Sequence, residues 1–275
     1  MTDFQRRWLN PGAFFLFLPT VKILRLTWRL CFFVFYTIFI VVEIWFRTTF
    51  RGADLRAAMR VRRRWARRLL YGVGVRLEVT GTPPDFPALV VANHRSYIDP
   101  ILLLCDLDAL PVAKAEVASW PVLGKGAALA GILYLRRENS GSRAQTLRQI
   151  EAKILEGFSV ILFPEGTTSG QPDTLPFKKG AFQMAVKAGL PVVPVALCYR
   201  DERDFWVEQE SFLAHAGRRF REKTVHIRLC YGPPFYQEDK DALISEVQAW
   251  INTELEKYPP TYRLKSLSTE LSMRS

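Results

Sequence analysis

The stretch VVANHRSYIDP, Val90–Pro100, is a short apolar run that breaks into a polar loop carrying His94 and Asp99. An alcohol becomes an effective nucleophile when a base takes its proton in the transition state, and histidine is the usual base near neutral pH. A carboxylate beside the imidazole fixes its tautomer and stabilises the imidazolium that forms. We expect a tight turn at the strand end to bring Asp99 back against His94. The pair alone could also be a loop histidine near a helix N-terminus, so it needs support from elsewhere in the chain.

The elements that must position this loop are short apolar runs alternating with amphipathic segments. The predicted strands are Val73–Gly81, Ala88–Ala92, Gly131–Leu135, Ser159–Phe163, Pro191–Tyr199 and Thr224–Tyr231. The predicted helices are Pro100–Asp108, Ser119–Ala130, Arg143–Glu156, Phe177–Ala188 and Glu238–Tyr258. This alternation predicts an α/β fold, with a mostly parallel central sheet flanked by helices. Ligand-binding groups of such sheets lie in loops after the strands, and His94, Arg137 and Glu165 each follow a different predicted strand.

Composition bounds the class of protein. The 275 residues can form one sizeable domain plus an extra segment, and 49% hydrophobic and 13% aromatic residues exclude disorder throughout. A formal net charge of +11 implies an anionic partner, which could be a nucleic acid, a phospholipid surface or an anionic substrate. The four cysteines are scattered without a CxxC pair, so we interpret them as reduced core or membrane residues. With three histidines and no HExxH motif, the sequence predicts no metal site.

Residues 11–46 are intensely apolar, but their uncharged centre, Leu30–Val42, is shorter than the roughly 20 residues that a spanning helix needs. Lys22, Arg25 and Arg29 recur every three or four residues and therefore share one helical face, opposite the apolar side chains. This pattern fits a helix lying in the membrane interface, or a short helical pair dipping into one leaflet. One spanning helix and a helix buried in a soluble core are the alternatives.

Behind the apolar segment, Arg51–Arg68 is a helix-compatible stretch with eight arginines. Arginines at this position attract anionic lipid headgroups, and this reading is favoured over a nucleic-acid patch because the apolar segment directly precedes them. We expect residues 1–70 to be membrane-associating helices, 71–260 to be the α/β domain on the cytoplasmic face, and 261–275 to be a polar tail. Within the domain, Asp201–Lys223 is expected to be a surface insertion with an exposed His215, and His226 is interpreted as structural.

Four ordered segments resemble the motifs of a known family. They are N-H-x4-D at Asn93–Asp99, G-x-x-Y-L-x-R at Gly131–Arg137, F-P-E-G-T at Phe163–Thr167 and V-P-V at Val193–Val195. Their order and spacing resemble the glycerolipid acyltransferases of the lysophosphatidic acid acyltransferase type, and FKKGAF (Phe177–Phe182) looks like the family's segment between the last two motifs. The resemblance spans Val73 to Tyr258. It also implies an N-terminal two-helix segment that docks on the membrane bilayer.

The resemblance implies a reaction without a tightly bound cofactor. His94 would be the general base on the free hydroxyl of a lysolipid acceptor, with Asp99 as its orienting partner. The oxygen would attack the thioester of acyl-CoA or acyl carrier protein directly, because the chain has no G-x-S-x-G elbow and no cysteine in a motif.

The resemblance also implies an acceptor site and an acyl site. Arg137, in the motif that begins at Gly131, would bind the acceptor phosphate through its guanidinium. Glu165, Gly166 and Thr167 match the third motif, where Gly166 could let backbone N–H groups approach an anion and Glu165 could anchor the loop or bind a hydroxyl. Pro194 matches the fourth motif and would shape the acyl-binding wall.

One departure concerns the acceptor headgroup. Members of the family that act on lysophosphatidic acid often have arginine after E-G-T, whereas this chain has Thr168. Lys178, Lys179 or Arg136 could supply the missing positive charge. The first hypothesis is therefore acyl transfer to lysophosphatidic acid, giving phosphatidic acid, with another lysolipid, a lysophosphodiester or a lyso-aminolipid, as the alternative acceptor. The alternatives of another class are a catalytically silent membrane adaptor and a nucleic-acid-binding protein, and the latter leaves the apolar N-terminus unexplained.

Overall fold

The computed structural model describes residues 11–116, 129–135, 140–207 and 210–260 of the chain, without the side chains of 11–19 and 140. Arg137, most of the predicted helix Ser119–Ala130 and the predicted tail lie outside the described residues. The helices are α1 (Pro11–Phe50), α2 (Leu55–Gly72), α3 (Asp99–Leu103), α4 (Ser140–Leu155), α5 (Gly180–Lys187), α6 (Phe212–Arg219) and α7 (Lys240–Lys257). The strands are β1 (Val75–Thr80), β2 (Leu89–Ala92), β3 (Ala109–Lys114), β4 (Leu133–Leu135), β5 (Ser159–Leu162), β6 (Val192–Tyr199) and β7 (Val225–Tyr231).

The strands form one seven-stranded sheet in the order β1-β7-β6-β2-β5-β3-β4. All neighbouring pairs are parallel except β6 and β7, which are antiparallel. The predicted α/β fold with a mostly parallel sheet is therefore confirmed. Strand β2 lies between β5 and β6, and all four of its side chains are buried, as expected for a strand covered by helices on both faces.

Each face of the sheet has its own apolar core. Val90 and Ala92 of β2 belong to a core that includes residues of α2 and α3, whereas Leu89 and Val91 point to a core that includes residues of α4, α5 and α7. The alternation of neighbouring residues between the two cores is the period of a strand. Three of the four cysteines are buried and all four are free thiols, which agrees with the prediction that they are reduced.

The predicted helix Pro100–Asp108 is too long. Helix α3 ends at Leu103, and the residues that follow a short turn form strand β3, which the sequence analysis missed. The run ILLLCDLDALPV has no clear period, and a short apolar run of this kind is compatible with either a buried strand or a helix.

The prediction of a surface insertion at Asp201–Lys223 is correct in part, since this segment forms a short 3₁₀ turn and α6. His215 in α6 is only 2% exposed, so the prediction that it is exposed is wrong.

Helices α1 and α2 pack against each other as a pair. Asp54 caps α2 by accepting the N–H of Ala57 at 2.7 Å, which ends the connection between the helices. Trp65 of α2 donates to Thr37 of α1 at 3.2 Å. Two helices therefore precede the sheet, but the second one is the arginine-rich helix α2 and not another apolar helix.

The basic face of α1 points at the α/β domain. The guanidinium of Arg29, 6% exposed, donates to the carbonyls of Phe220, Glu222 and Lys223 at 2.5–3.2 Å. Arg25 donates to the carbonyl of Arg221 at 2.8 Å. These two arginines therefore donate hydrogen bonds to the backbone carbonyls of the segment that follows α6. The shared basic face predicted for α1 therefore contacts the domain through Arg25 and Arg29, whose partners come from almost 200 residues further along the chain.

Several arginines of α2 are also used inside the protein. Arg62 is 4% exposed and donates to the carbonyls of Ala109 and Ala130. The neighbouring arginines pair with acidic side chains, and these pairs are Arg63–Asp108, Arg64–Glu43 and Arg67–Asp106. The prediction that the whole arginine cluster serves lipid headgroups is therefore too broad, although Arg51, Arg60 and Arg68 are exposed.

Candidate active site

His94 and Asp99 lie together at the carboxyl end of β2. The chain leaves the strand at Ala92 and turns through the loop into α3, which begins at Asp99. His94 Nδ1 lies 2.8 Å from Asp99 Oδ2. Because an ionised carboxylate can only accept, the proton of a neutral imidazole belongs on Nδ1 and leaves Nε2 as the base. The imidazole is 19% exposed and the carboxylate is fully buried, so one side of the pair is open to a substrate and the other is closed.

The loop itself holds the Asp99 carboxylate in place. Oδ2 also accepts the backbone N–H groups of Arg95 at 2.6 Å and Ser96 at 2.8 Å, and Oδ1 accepts the hydroxyl of Tyr199. A buried carboxylate with several donors can remain charged without the large cost of an unpaired buried charge. The loop therefore orients the base through an acceptor whose own direction is fixed.

Asn93 connects this loop to the neighbouring strand β6. Its Nδ2 donates to the carbonyl of Leu197 at 3.1 Å, and its Oδ1 accepts the N–H of Leu197 at 2.7 Å. The side chain is completely buried and extends the pairing of β2 with β6 by one residue. The two hydrogen bonds of Asn93 therefore fix the point at which the chain leaves β2 and enters the loop that carries His94.

Glu165 connects the histidine loop to the loop after β5. Its Oε1 accepts the backbone N–H of His94 at 2.8 Å, and its Oε2 accepts that of Leu175 at 2.9 Å. Burial raises the pKa of Glu165, whereas these two backbone N–H groups oppose that shift. Of the two roles considered for Glu165, the contacts support the anchoring of the loop, because both oxygens are already occupied by backbone donors.

The loop after β5 also lines the imidazole. The ring of Phe163 stacks on the ring of His94, with 4.3 Å between centroids and 24° between planes. The N–H of Ser169 donates to the carbonyl of His94 at 3.0 Å. The residues between them, Gly166, Thr167 and Thr168, are half-buried beside the histidine loop. These contacts join the loop after β2 and the loop after β5, which are distant in the chain, into one site.

Gly166 adopts a backbone conformation that favours glycine. Its φ is +76°, a region that side chains disfavour, and a Cβ there would overlap the side chain of Lys178. The N–H of Lys178 donates to the carbonyl of Pro164 at 3.0 Å, which holds the lysine over the turn. The structure therefore brings the side chain of Lys178 to Gly166, two positions before Thr168.

Arg95 is a site residue that sequence reasoning missed. Its side chain is 1% exposed and donates to the carbonyls of Ser169, Pro172 and Asp173 at 3.0–3.2 Å. Its guanidinium lies 5.5 Å from the centre of the Phe205 ring. It therefore fastens the histidine loop to the segment after the third motif. The position of this arginine directly after the histidine was a signal in the sequence, because an arginine buried there is unfavourable unless its guanidinium has hydrogen-bond partners.

Two predicted site residues, Gly131 and Pro194, have their described contacts away from the imidazole. Gly131 begins the turn into β4 with φ +85°, and a Cβ there would meet Leu110 and Leu55, so its backbone packs against α2 and β3. Pro194 lies inside β6 opposite Val91 of β2, and Gly232 donates to its carbonyl at 2.9 Å. Arg137 follows β4 by two residues and lies outside the described residues.

Among the described residues, no three His, Cys, Asp or Glu side chains are grouped so that they could hold a metal ion. The polar groups that contact His94 are instead the carboxylates of Asp99 and Glu165 and the backbone N–H of Ser169, while the hydroxyl of Tyr199 contacts Asp99. What this arrangement can do chemically is accept a proton at His94 Nε2 while Asp99 stabilises the imidazolium.

Comparisons with known proteins find similarity to acyltransferases. A family model described as Acyltransferase matches residues 76–198. A lyso-ornithine lipid O-acyltransferase of Pseudomonas aeruginosa is 33% identical over 212 residues, which cover 74% of this chain and 82% of that protein. A 1-acyl-sn-glycerol-3-phosphate acyltransferase of Neisseria meningitidis is 37% identical over 193 residues, which cover 66% of this chain and 75% of that protein. The human 1-acyl-sn-glycerol-3-phosphate acyltransferase alpha is 32% identical over 180 residues, covering 62% of this chain and 59% of the human protein.

A solved structure is similar in fold. The crystal structure of the 1-acyl-sn-glycerophosphate acyltransferase from Thermotoga maritima aligns with a TM-score of 0.71, covering 87% of this chain and 97% of that one, at 22% sequence identity. At this identity the likeness supports the fold and not the substrate.

Proposed function

The chain belongs to the glycerolipid acyltransferases of the lysophosphatidic acid acyltransferase type, and on that premise we propose that it makes phosphatidic acid. The proposed reaction moves a fatty acyl group from acyl-CoA or acyl carrier protein to the free hydroxyl of lysophosphatidic acid. The observation that carries the proposal is the His94 Nδ1–Asp99 Oδ2 contact of 2.8 Å at the open end of a strand. A buried carboxylate behind a partly exposed imidazole is the arrangement that a general base on an alcohol needs.

The proposed mechanism has one direct transfer step. His94 Nε2 accepts the hydroxyl proton while the oxygen forms a bond to the thioester carbon. The C–S bond then breaks, and the imidazolium returns the proton to the departing thiolate. Asp99 stabilises the imidazolium in between. No covalent acyl-enzyme is needed, since the attacking group is the acceptor itself.

The acceptor's charged group is proposed to lie near Lys178 and Gly166. The ammonium of Lys178 lies over the turn at Gly166, directly after the glutamate that anchors His94. A cation and the backbone N–H groups of a tight turn are suited to a phosphate. Arg137 is proposed as a second phosphate ligand because its motif matches the family and because it follows β4, whose carboxyl end lies on the same edge of the sheet as His94.

A lyso-ornithine lipid is the second candidate acceptor. The Pseudomonas relative named for that substrate matches a larger share of the chain than the human lysophosphatidic acid enzyme does, at 74% against 62%. Thr168 supports this alternative, because a hydroxyl in place of the family's frequent arginine weakens the grip on a doubly charged phosphate monoester. The reaction at His94 is the same for both acceptors.

The proposal includes docking on a bilayer through α1. The segment Thr20–Phe50 contains an 18-residue window with a mean hydropathy of 2.0 and is, by length and composition, long and apolar enough to cross a membrane. The exposed apolar side chains of α1 are Ile23, Leu24, Trp28, Val34, Phe35, Ile38, Phe39, Val42, Trp45, Phe46 and Phe50. These residues are proposed to lie in the lipid interface.

Contacts to the rest of the protein favour α1 lying in the membrane plane over a spanning α1. They run from Arg25, which bonds the chain after α6, to Ile44, which packs on α2. At 1.5 Å per residue this is about 29 Å, close to the thickness of the hydrocarbon layer. A spanning α1 would therefore draw the domain's carbonyls and arginines into the hydrocarbon, which is costly. The exposed Arg60 and Arg68 of α2 would favour the anionic, cytoplasmic face.

The experiment that tests the function is acyl transfer from a labelled acyl thioester by the purified full-length protein in detergent. The acceptor panel contains lysophosphatidic acid, a lyso-ornithine lipid and a lysophosphodiester, and each is offered with acyl-CoA and with acyl carrier protein. Preference for lysophosphatidic acid supports the first candidate, and preference for the lyso-ornithine lipid supports the second. Absence of transfer to every acceptor, with binding to vesicles retained, would contradict both and favour the adaptor.

A further inference from the structure

Tyr199 completes a chain of three groups behind the reacting nitrogen. Its hydroxyl donates to Asp99 Oδ1, while Asp99 Oδ2 lies 2.8 Å from His94 Nδ1. We propose that Tyr199 is a positioning residue, whose hydroxyl fixes the Asp99 carboxylate and moderates its charge, so that His94 releases its proton readily to the leaving thiolate. This inference rests on the proposed function and adds a residue outside the four motifs that carried the family resemblance.

The tyrosine is a donor and not an acceptor in this contact. Its side chain is 2% exposed, and burial together with the nearby Asp99 raises the pKa of Tyr199 well above its usual value. The phenol therefore keeps its proton throughout the pH range of activity. A neutral hydroxyl that donates to a carboxylate spreads the negative charge without cancelling it.

The surrounding structure holds this hydroxyl rigidly. Tyr199 is the last residue of β6 and lies opposite Ile227 of the antiparallel strand β7. The edge of its ring meets Phe205 at 82°, with centroids 5.8 Å apart. Two residues earlier, Leu197 is paired in both directions with Asn93 of the histidine loop. The distance between Tyr199 and the dyad is therefore set by the pairing of β6 with β2.

Removal of the hydroxyl would leave Oδ1 of a fully buried carboxylate without its donor. The charge on Asp99 would then act more strongly on the imidazolium, and His94 would hold its proton more tightly. The other charged groups near Asp99 and Tyr199 are Arg95 and Asp204, and Glu165 lies near His94. A change from tyrosine to phenylalanine leaves all three in place.

The test compares Tyr199→Phe with Tyr231→Phe in the full-length protein. Tyr231 ends β7, is 5% exposed, and its hydroxyl has no hydrogen-bond partner among the described residues, so it is a matched buried control. We expect Tyr199→Phe to lower kcat about 10-fold, with little change in the KM for the lysolipid acceptor or for the acyl thioester donor. We also expect the acidic limb of the kcat/KM profile to move to higher pH. Tyr231→Phe should leave both properties as in the wild type.

A second variant keeps the ring and the hydrogen bond. 3,5-Difluorotyrosine placed at position 199 has a more acidic hydroxyl, which donates more strongly to Asp99. Its acidic limb should move to lower pH, opposite to that of Tyr199→Phe. This chain differs only by fluorine atoms, so it tests the proposal even where Tyr199→Phe fails to fold.

A double-mutant cycle with Asp99→Asn separates a role through Asp99 from a general effect. We expect Tyr199→Phe to have little further effect on kcat once Asp99 is an amide. Profiles of both Tyr199 variants that match the wild type would overturn the inference. If His94→Ala still abolishes transfer in that case, the proposed function is retained and only the role of Tyr199 is rejected. Absence of transfer by the wild-type chain would instead contradict the function itself.

Discussion

Glu165 Oε1 accepts the backbone N–H of His94 at 2.8 Å, and the two residues are 71 positions apart in the chain. The other carboxylate oxygen accepts the N–H of Leu175 at 2.9 Å. The acidic residue of the third motif thus cross-links the histidine loop and the segment that leads to α5. The position of the proposed base depends on a side chain from the loop that follows the adjacent strand β5.

Glu165→Gln tests this cross-link. An amide has one acceptor oxygen and one NH₂ group, so one of the two buried N–H groups would lose its partner and face another donor. We expect the free energy of unfolding to fall by about 1–3 kcal/mol, and kcat to fall because His94 is displaced. Glu156→Gln is the control, since Glu156 pairs with Lys153 and is 50% exposed. Unchanged stability and turnover in Glu165→Gln would show that the carboxylate does not hold the loop.

His94→Ala tests the proposed base. We expect kcat to fall by about 10²–10⁴-fold, because proton removal from the acceptor loses its catalyst. The control is His226→Ala, since His226 is exposed on β7 and contacts Thr224 at 3.1 Å. Circular dichroism of both variants should match the wild type. Turnover of His94→Ala within a few-fold of that of His226→Ala would remove His94 from the mechanism.

Thr168→Arg tests the acceptor headgroup. A fixed guanidinium next to Gly166 should improve kcat/KM for lysophosphatidic acid about 10-fold relative to the lyso-ornithine lipid, since Arg binds phosphate through two hydrogen bonds. Thr253→Arg adds the same charge on an exposed position of α7 and should leave the ratio unchanged. Equal shifts in the two variants would mean that net charge, and not the site, governs acceptor choice.

Arg29→Met tests the contact between α1 and the domain. The substitution removes a buried guanidinium that serves three carbonyls, so we expect a loss of about 1.5–3 kcal/mol in the free energy of unfolding and faster proteolysis near α1. Cosedimentation with anionic vesicles should persist, because the apolar face of α1 is intact. Lys22→Met is the control, as Lys22 is exposed. Weaker vesicle binding with unchanged stability would instead place Arg29 among headgroup ligands.

Asp204→Asn tests a pH dependence of stability. Burial raises the pKa of Asp204 to about 7, and Arg219 opposes that shift. In the unfolded chain the carboxyl loses its proton near pH 4. Between about pH 4 and about pH 7 the folded state therefore binds more protons than the unfolded state, and its stability decreases as pH rises.

We expect wild-type stability, measured by denaturant unfolding in detergent, to decline more steeply across this window than that of Asp204→Asn. The difference in slope matters here, because the variant also leaves Arg219 without its anionic partner. Asp201→Asn should act in the opposite sense, since its bonds to Arg203 lower the pKa of Asp201. Parallel stability curves for the wild type and Asp204→Asn would contradict the assignment of the titrating group.

Local patterns in the sequence were sufficient for much of the fold. Short apolar runs predicted strands β2, β4, β5 and β6, and alternation of apolar and polar residues predicted β1 and β7. Helical periodicity predicted α4, α5 and α7, because each pattern reports the burial of neighbouring residues. Strand β3 was missed because its apolar run has no period of its own. The five-residue separation of His94 and Asp99 could also be read from the sequence, since both residues belong to one loop.

Contacts between distant segments were decided only by the tertiary structure. Strand β2 lies between β5 and β6, and this order brings Glu165 to the backbone of His94 and Tyr199 to the far oxygen of Asp99. Arg29 has the spacing of an amphipathic helix, yet its partners are the carbonyls after α6. The sequence by itself therefore determined most of the elements, the histidine–aspartate loop and the family, but not β3. The partners that orient them depend on strand order and helix packing, because no local pattern specifies which distant segments become neighbours.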